Sequence, residues 1–258
     1  MMKQISSFLV VLSLMLASFT AGVEYERGDV DQDGQVGISD VTCLIDYLLT
    51  GTWPDEPVTP PDEHEWVDLG LPSGTLWATC NIGANAPEEY GDYFAWGETT
   101  PKDSFDWLNY KWCNGSDDTM TKYCTNSSDG YYGFTDDKTE LVPEDDAAYV
   151  NWGSSWRMPT KEQQVELDEK CTWTWTQLNG VNGQMVTGPN GNTIFLPAAG
   201  GRTYESIDGL GASGNYWSRT LFTGSSYYAD KLYFSKYGAY WDNYYRCCGF
   251  TVRAVRVP

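Results

Sequence analysis

The sequence predicts an α+β protein of short strands, one or two helices and long loops, preceded by a calcium-loop-and-helix module. Three observations support this. An acidic loop with regular oxygen spacing runs from Asp29 to Asp40 and leads into an apolar stripe at helical spacing. Beyond a proline-rich stretch the composition turns to Gly, Trp and Tyr, in period-two runs bounded by turn residues. Within that region one segment, opening at Thr160, has the residues that start a helix.

The acidic loop comes first. Asp29, Asp31, Asp33 and Asp40 occupy loop positions 1, 3, 5 and 12, and Gly34 sits at position 6. Calcium is a hard cation that gathers several oxygen ligands, and a glycine at position 6 permits the sharp turn that brings them together. Gln35 at position 7 need supply only its backbone carbonyl, and Gly37 at position 9 leaves that place to water. The predicted metal ligands are therefore Asp29, Asp31, Asp33, Gln35 and Asp40, with calcium as the cofactor. Val41, Leu44, Ile45 and Leu48 follow at i, i+3, i+4 and i+7, one apolar face of a helix.

The run Gly28-Asp29-Val30-Asp31-Gln32-Asp33-Gly34-Gln35-Val36, then Ser39-Asp40-Val41 and Leu44 to Leu49, resembles a dockerin calcium-binding repeat. Asp rather than Glu at position 12 fits that EF-hand-like family. Dockerins usually carry two repeats, and this chain carries one before the prolines begin. The resemblance implies calcium binding and a cohesin-like docking partner through residues 28–51.

At 258 residues the chain can hold a small domain and a medium one. Its 16 basic against 36 acidic groups give a net charge of −20, which argues against nucleic acid or an anionic membrane as partner. The charge is uneven. Asp103 to Asp146 holds eleven acids and three lysines, whereas Arg202 to the end holds seven basic residues and four acids. Residues 1–22 read as a cleaved signal peptide: Lys3, a short apolar run from Phe8 to Leu16, then small residues up to Gly22. That run is too short to span a bilayer, so no membrane insertion is expected after cleavage, and the protein is expected to be secreted or at the cell surface.

Export permits disulfides. Of the seven cysteines, Cys113 and Cys124 bracket a short acidic loop and are the expected pair. Adjacent Cys247 and Cys248 would point to opposite faces of an extended strand and are not expected to bond each other. With His64 the only histidine and no paired-cysteine motif, zinc is disfavoured.

Residues 23–51 thus form the calcium module, and 52–65, with four prolines and five acids, a stiff linker. In the remaining domain, 66–258, Val67 to Leu71 and Gly74 to Ala78 read as strands around Pro72-Ser73. Residues 101–150 read as a polar excursion over the surface. Thr160 and Gln163 form a capping box for a helix ending near Lys170. Cys171 to Thr176 then alternates with period two, and Gly188-Pro189-Asn190-Gly191 joins two strands in a hairpin. Further short strands are expected at Tyr216 to Ser218, Tyr228 to Phe234 and Phe250 to Val255.

Four blocks in this domain occur in a telling order: Gly153 to Pro159, Ile194 to Gly200, Asn215 to Ser218, and Gly249 to Arg256. Together they resemble the Fibrobacter succinogenes major paralogous domain, a family of exported bacterial surface modules. The resemblance covers nearly all of Trp66 to Pro258. It implies a C-type lectin-like fold with a small mixed sheet, and it carries no agreed catalytic site.

No histidine base is available within the domain, and the carboxylates Glu88, Glu89, Asp92 and Glu98 have no readable catalytic spacing. The aromatic supply is more informative, because aromatic faces stack on sugar rings or anchor protein interfaces. Tyr228, Tyr240, Trp241, Tyr244 and Tyr245 are the candidate ligand-binding residues. Arg202, Arg219 and Arg253 are expected to pair with internal carboxylates. The expected function is that of an exported, non-enzymatic protein: a calcium-binding dockerin-like module and a lectin-like domain that binds a glycan or a surface protein. The alternative is a dockerin-tagged hydrolase of a polysaccharide-degrading system.

Overall fold

The computed structural model describes Val41, Leu44, Ile45 and residues 64–256. The chain divides into two compact units, Met1–Asp62 and Glu63–Pro258. In the first, Val41, Leu44 and Ile45 are helical. The predicted calcium ligands Asp29, Asp31, Asp33, Gln35 and Asp40 lie outside the described residues, as do the signal-peptide and linker segments up to residue 63.

The second unit is built mainly of small antiparallel sheets. Strands β1 (Trp66–Asp68) and β2 (Leu76–Ala78) pair with β11 (Val255–Arg256), in the order β1-β2-β11. Strands β3 (Thr172–Leu178), β4 (Val181–Thr187) and β5 (Thr193–Pro197) form a meander. Strands β6 (Gly201–Thr203) and β7 (Ser206–Asp208) form a short hairpin. The longest sheet joins β8 (Ser213–Leu221), β9 (Tyr228–Ser235) and β10 (Gly238–Tyr245), in the order β10-β9-β8. Two α-helices, α1 (Ala147–Trp152) and α2 (Lys161–Lys170), precede the meander.

This corrects the expected α+β, C-type lectin-like class. Every pair of named strands is antiparallel, the parallel contacts are isolated bridges, and the described residues do not show an EF-hand-like loop and helix. The physical reason lies in local signals that favour hairpins. The β3–β4 turn has Asn179 and Gly180 both at positive φ (48° and 84°), the geometry whose twist matches two antiparallel strands. Threonine and tryptophan alternate along β3, and register is maintained from Thr172↔Thr187 to Leu178↔Val181.

Helix α2 forms as its capping residues dictate. The Thr160 hydroxyl accepts from the Gln163 amide at 3.1 Å, and the Gln163 side chain accepts from the Thr160 amide at 2.9 Å. Helix α1 is capped by buried Asp146, whose Oδ1 accepts from Ala148 and Tyr149 while its Oδ2 binds Arg157 Nε at 2.8 Å.

Residues 101–150 do not skirt the surface. Phe105, Tyr110, Met120, Tyr123, Leu141, Ala147 and Ala148 are buried in the core with Trp96, Trp156 and Trp217. Apolar residues spaced this widely produce no periodic signal, because the segment is pinned by single bridges such as Phe105↔Tyr204 and Met120↔Gly130. A second cluster joins Leu69, Trp77, Leu167, Leu196, Tyr216 and Phe234 beneath α2 and the meander.

The expected Cys113–Cys124 disulfide is absent: all six described cysteines are free. The Cys113 thiol points to the Trp107 carbonyl at 3.1 Å, and that of Cys124 to the Asn126 carbonyl at 3.1 Å, each in its own turn. Buried arginines behave differently from expectation too. Arg253 binds Asn81 Oδ1 and the carbonyls of Ala78, Thr79 and Phe195, with no carboxylate. Arg202 lies 5.2 Å over the Tyr93 ring, and its Nε has no hydrogen-bond partner. Of the three, only Arg219 meets a carboxylate, Glu140 Oε2 at 3.0 Å.

Candidate functional site

The site is the outer part of the β8–β10 sheet, and β10 is its edge. Strands β9 and β10 pair without a break from Tyr228↔Tyr245 to Ser235↔Gly238. Side chains alternate along each strand, so opposite residues share a face. On one face Tyr240 lies beside Tyr233, Asp242 beside Lys231 and Tyr244 beside Ala229; on the other, Trp241 lies beside Leu232, Asn243 beside Asp230 and Tyr245 beside Tyr228.

The first face has an unusual centre. Lys231 is only 2% exposed, and its Nζ lies 3.2 Å from Asp242 Oδ2. Three rings surround the same ammonium: Tyr233 at 5.1 Å, Tyr244 at 5.7 Å and Phe250 at 5.7 Å. Their negative ring faces replace part of the water the cation has lost. Burial nevertheless pushes the Lys231 pKa below its ordinary value, and Asp242 opposes that shift. The lysine therefore acts as an internal tie that orients two tyrosines and one carboxylate.

From this centre an aromatic band runs along the face and, at the strand end, touches rings of the other face. Tyr240 stacks on Tyr233 at 4.9 Å between centroids, and Tyr244 meets Tyr245 edge-on at 5.7 Å. Tyr245 then packs on Tyr228 at 4.8 Å and on the edge of Trp107 at 5.8 Å. Tyr240, Tyr244 and Tyr245 are all exposed. Tyr228 is pushed up to about 12, chiefly by its hydrogen bond with Tyr245 and then by burial, and burial raises Tyr240 and Tyr244 as well.

Of the five candidate ligand-binding residues, Tyr240 and Tyr244 share the Lys231 face, whereas Tyr228, Trp241 and Tyr245 belong to the other, and Tyr245 meets Tyr244 at the strand end. Trp241 is exposed, with Lys161 Nζ of α2 4.1 Å over its ring. Lys161 also pairs with buried Asp230 at 3.4 Å. Both local lysine–aspartate pairs cancel, so this stretch of sheet is close to neutral within a strongly acidic chain.

Sequence reasoning missed Lys231, Tyr233 and Trp107. The first two were accessible in principle: with a tight turn at Lys236-Tyr237, the hairpin register sets Lys231 against Asp242 and Tyr233 against Tyr240. Trp107 arrives from a distant loop with no local signal.

Three of the four carboxylates weighed for catalysis are occupied by local structure. Glu88 accepts from Asn179 Nδ2 at 2.6 Å, and that bond lowers its pKa. Glu89 accepts from the Asn85 amide, and Glu98 binds Lys102 and the Lys111 amide. Among the described residues, no group of three or more His, Cys, Asp or Glu side chains is arranged to hold a metal ion, and no helix is long and apolar enough to cross a membrane. No known family model, curated protein or solved structure matches the chain.

Proposed function

We propose that the protein is an exported, non-enzymatic binding protein whose second unit holds a neutral glycan on the aromatic band of β9 and β10. The observation that carries this reading is a pair of exposed rings, Tyr240 and Tyr244, fixed on one face of regular strands around the Lys231–Asp242 pair. Sugars present apolar C–H faces to stack on rings and hydroxyls that need partners, and the band offers both together with the Asp242 carboxylate. From Tyr240 to Tyr244 the strand rises about 14 Å, enough for a short run of sugar units. Local neutrality favours an uncharged chain over an acidic one, which a net charge of −20 would repel.

The first unit contributes a second proposed activity. The donor set Asp29, Asp31, Asp33, Gln35 and Asp40 is all oxygen at calcium-loop spacing, and calcium binding there would support attachment through residues 28–51. Export rests on the charged, apolar and small-residue order of residues 1–22.

A glycan array probed with the full chain, followed by calorimetric titration of the best oligosaccharide, tests the binding reading. Saturable binding reduced by Tyr244→Ala supports it, and an array without signal refutes it. Calcium titration tests the module: a heat that Asp29→Ala abolishes is expected, and no heat in the unaltered chain contradicts it.

A further inference from the structure

We propose that Cys247 and Cys248 form a covalent modification site, a vicinal dithiol that closes to a disulfide within its own turn by exchange with a low-molecular-weight disulfide. The expectation from an extended strand was that these side chains diverge. Instead the chain turns here, with the Cys248 amide donating to the Tyr245 carbonyl at 3.0 Å, so the two adjacent thiols sit on one buried turn. Thr203 Oγ1 lies 3.8 Å from Cys248 Sγ on the other side. A third cysteine, Cys113, packs against the same core cluster as Cys247, but its thiol is directed to the carbonyls of Trp107 and Tyr110.

Both flanks of the turn are pinned. Arg246 donates from Nε to Tyr110 Oη, and from its Nη atoms to the carbonyls of Tyr123, Ser226 and Lys122. Gly249 exchanges two backbone hydrogen bonds with Arg202, at 2.9 and 2.7 Å. Adjacent Cα atoms are about 3.8 Å apart across a trans peptide, below the usual disulfide span, so the closed ring is strained and readily reduced. That combination suits a reversible modification better than a permanent staple.

The chemistry balances as an exchange. The Cys248 thiolate attacks one sulfur of the disulfide R–S–S–R and releases RS⁻. Cys247 gives up its proton, attacks the Cys248 sulfur and expels the second RS⁻. Two thiols are oxidised by two electrons, and one disulfide is reduced to two RSH that carry the two protons. The Cys247 thiol and the Thr203 hydroxyl lower the Cys248 pKa against the effect of burial, which makes it the first nucleophile. The thiols are only 4% and 2% exposed, so reagent reaches them when the turn opens or before it folds. Tyr244 packs 5.5 Å from Phe250, two residues beyond Cys248, so closure acts at one end of the aromatic band.

The sequence makes the test direct, because trypsin cuts after Arg246 and Arg253 and releases Cys247–Arg253 with no other cysteine. The reduced full chain is refolded in a glutathione redox buffer, alkylated in denaturant and mapped by mass spectrometry. The expected result is an unalkylated Cys247–Arg253 peptide lighter by two hydrogens, restored to double alkylation by dithiothreitol. Cys113→Ser leaves that result unchanged, and Cys248→Ser removes it. A doubly alkylated peptide after oxidation, a retained glutathione adduct, or a cross-link to the Cys113 peptide each overturns the proposal. The unaltered chain decides the matter even where a variant fails to fold.

Discussion

Lys231 Nζ and Asp242 Oδ2 meet at 3.2 Å across β9 and β10, and the two ends of the pair differ sharply in exposure. The lysine side chain is 3% exposed and the aspartate 45%. Removing the outer partner leaves an ammonium in a box of three rings with no counter-ion. Asp242→Ala is therefore expected to destabilise the fold by about 1–3 kcal/mol, less than a fully buried pair would lose because solvent already screens the carboxylate. Urea denaturation measures the loss. The double variant Lys231→Met with Asp242→Ala should recover most of it, and a double variant no more stable than the single would show that the pair is not the cause.

Arg246 is a different kind of buried cation. It lies over Trp96 at 4.9 Å and, among the described residues, satisfies three main-chain carbonyls rather than a carboxylate. Arg246→Met keeps the length and removes every donor, stranding those carbonyls. A loss of at least about 3 kcal/mol is expected at about 1–3 kcal/mol per unmet group. Retention of the unaltered midpoint in denaturant would show that water replaces the guanidinium.

The capping box of α2 gives a milder prediction. Thr160→Ala removes the hydroxyl that accepts from the Gln163 amide and should cost about 1 kcal/mol. Thr160→Ser preserves the acceptor and should cost less than half of that by the same unfolding measurement.

Alkaline pH should unfold the protein through its tyrosines. Burial pushes Tyr93 up to about 12, and raises Tyr110, Tyr123 and Tyr216 further still, from an ordinary 10.0. A folded pKa above the unfolded one means that the native state holds its protons longer. The stabilisation is thus complete below about pH 10 and falls away as pH rises from there through 12. A phenolate absorbance titration should show a subset of the 18 tyrosines ionising only as the chain unfolds. If all titrate together near 10 with the fold intact, the burial argument is wrong.

Some of this was legible in the sequence, where chemistry is local. The capping box at Thr160, the alternation from Thr172 and the turn at Gly188 to Gly191 each act through neighbours a few residues apart. The fold class was not legible, because sheet grouping depends on contacts such as Arg157↔Val255 and Arg202↔Gly249 that no short window contains. Burial of Phe105, Met120 and Tyr123 escaped for the same reason: none of them falls in a periodic apolar run. The tyrosines of β10 could be named but not assigned to faces. One residue of register in the Lys236-Tyr237 turn would exchange Tyr240 and Tyr244 for Trp241 and Tyr245.

The glycan reading is tested most directly by calorimetric titration of the full chain and of the Tyr240→Ala with Tyr244→Ala double variant against the same neutral oligosaccharide. The account predicts saturable binding by the unaltered chain and at least a tenfold weaker affinity in the variant, about 1.4 kcal/mol, measured below the variant's unfolding transition. Equal affinity in the two proteins, or no heat with any neutral oligosaccharide, would contradict it.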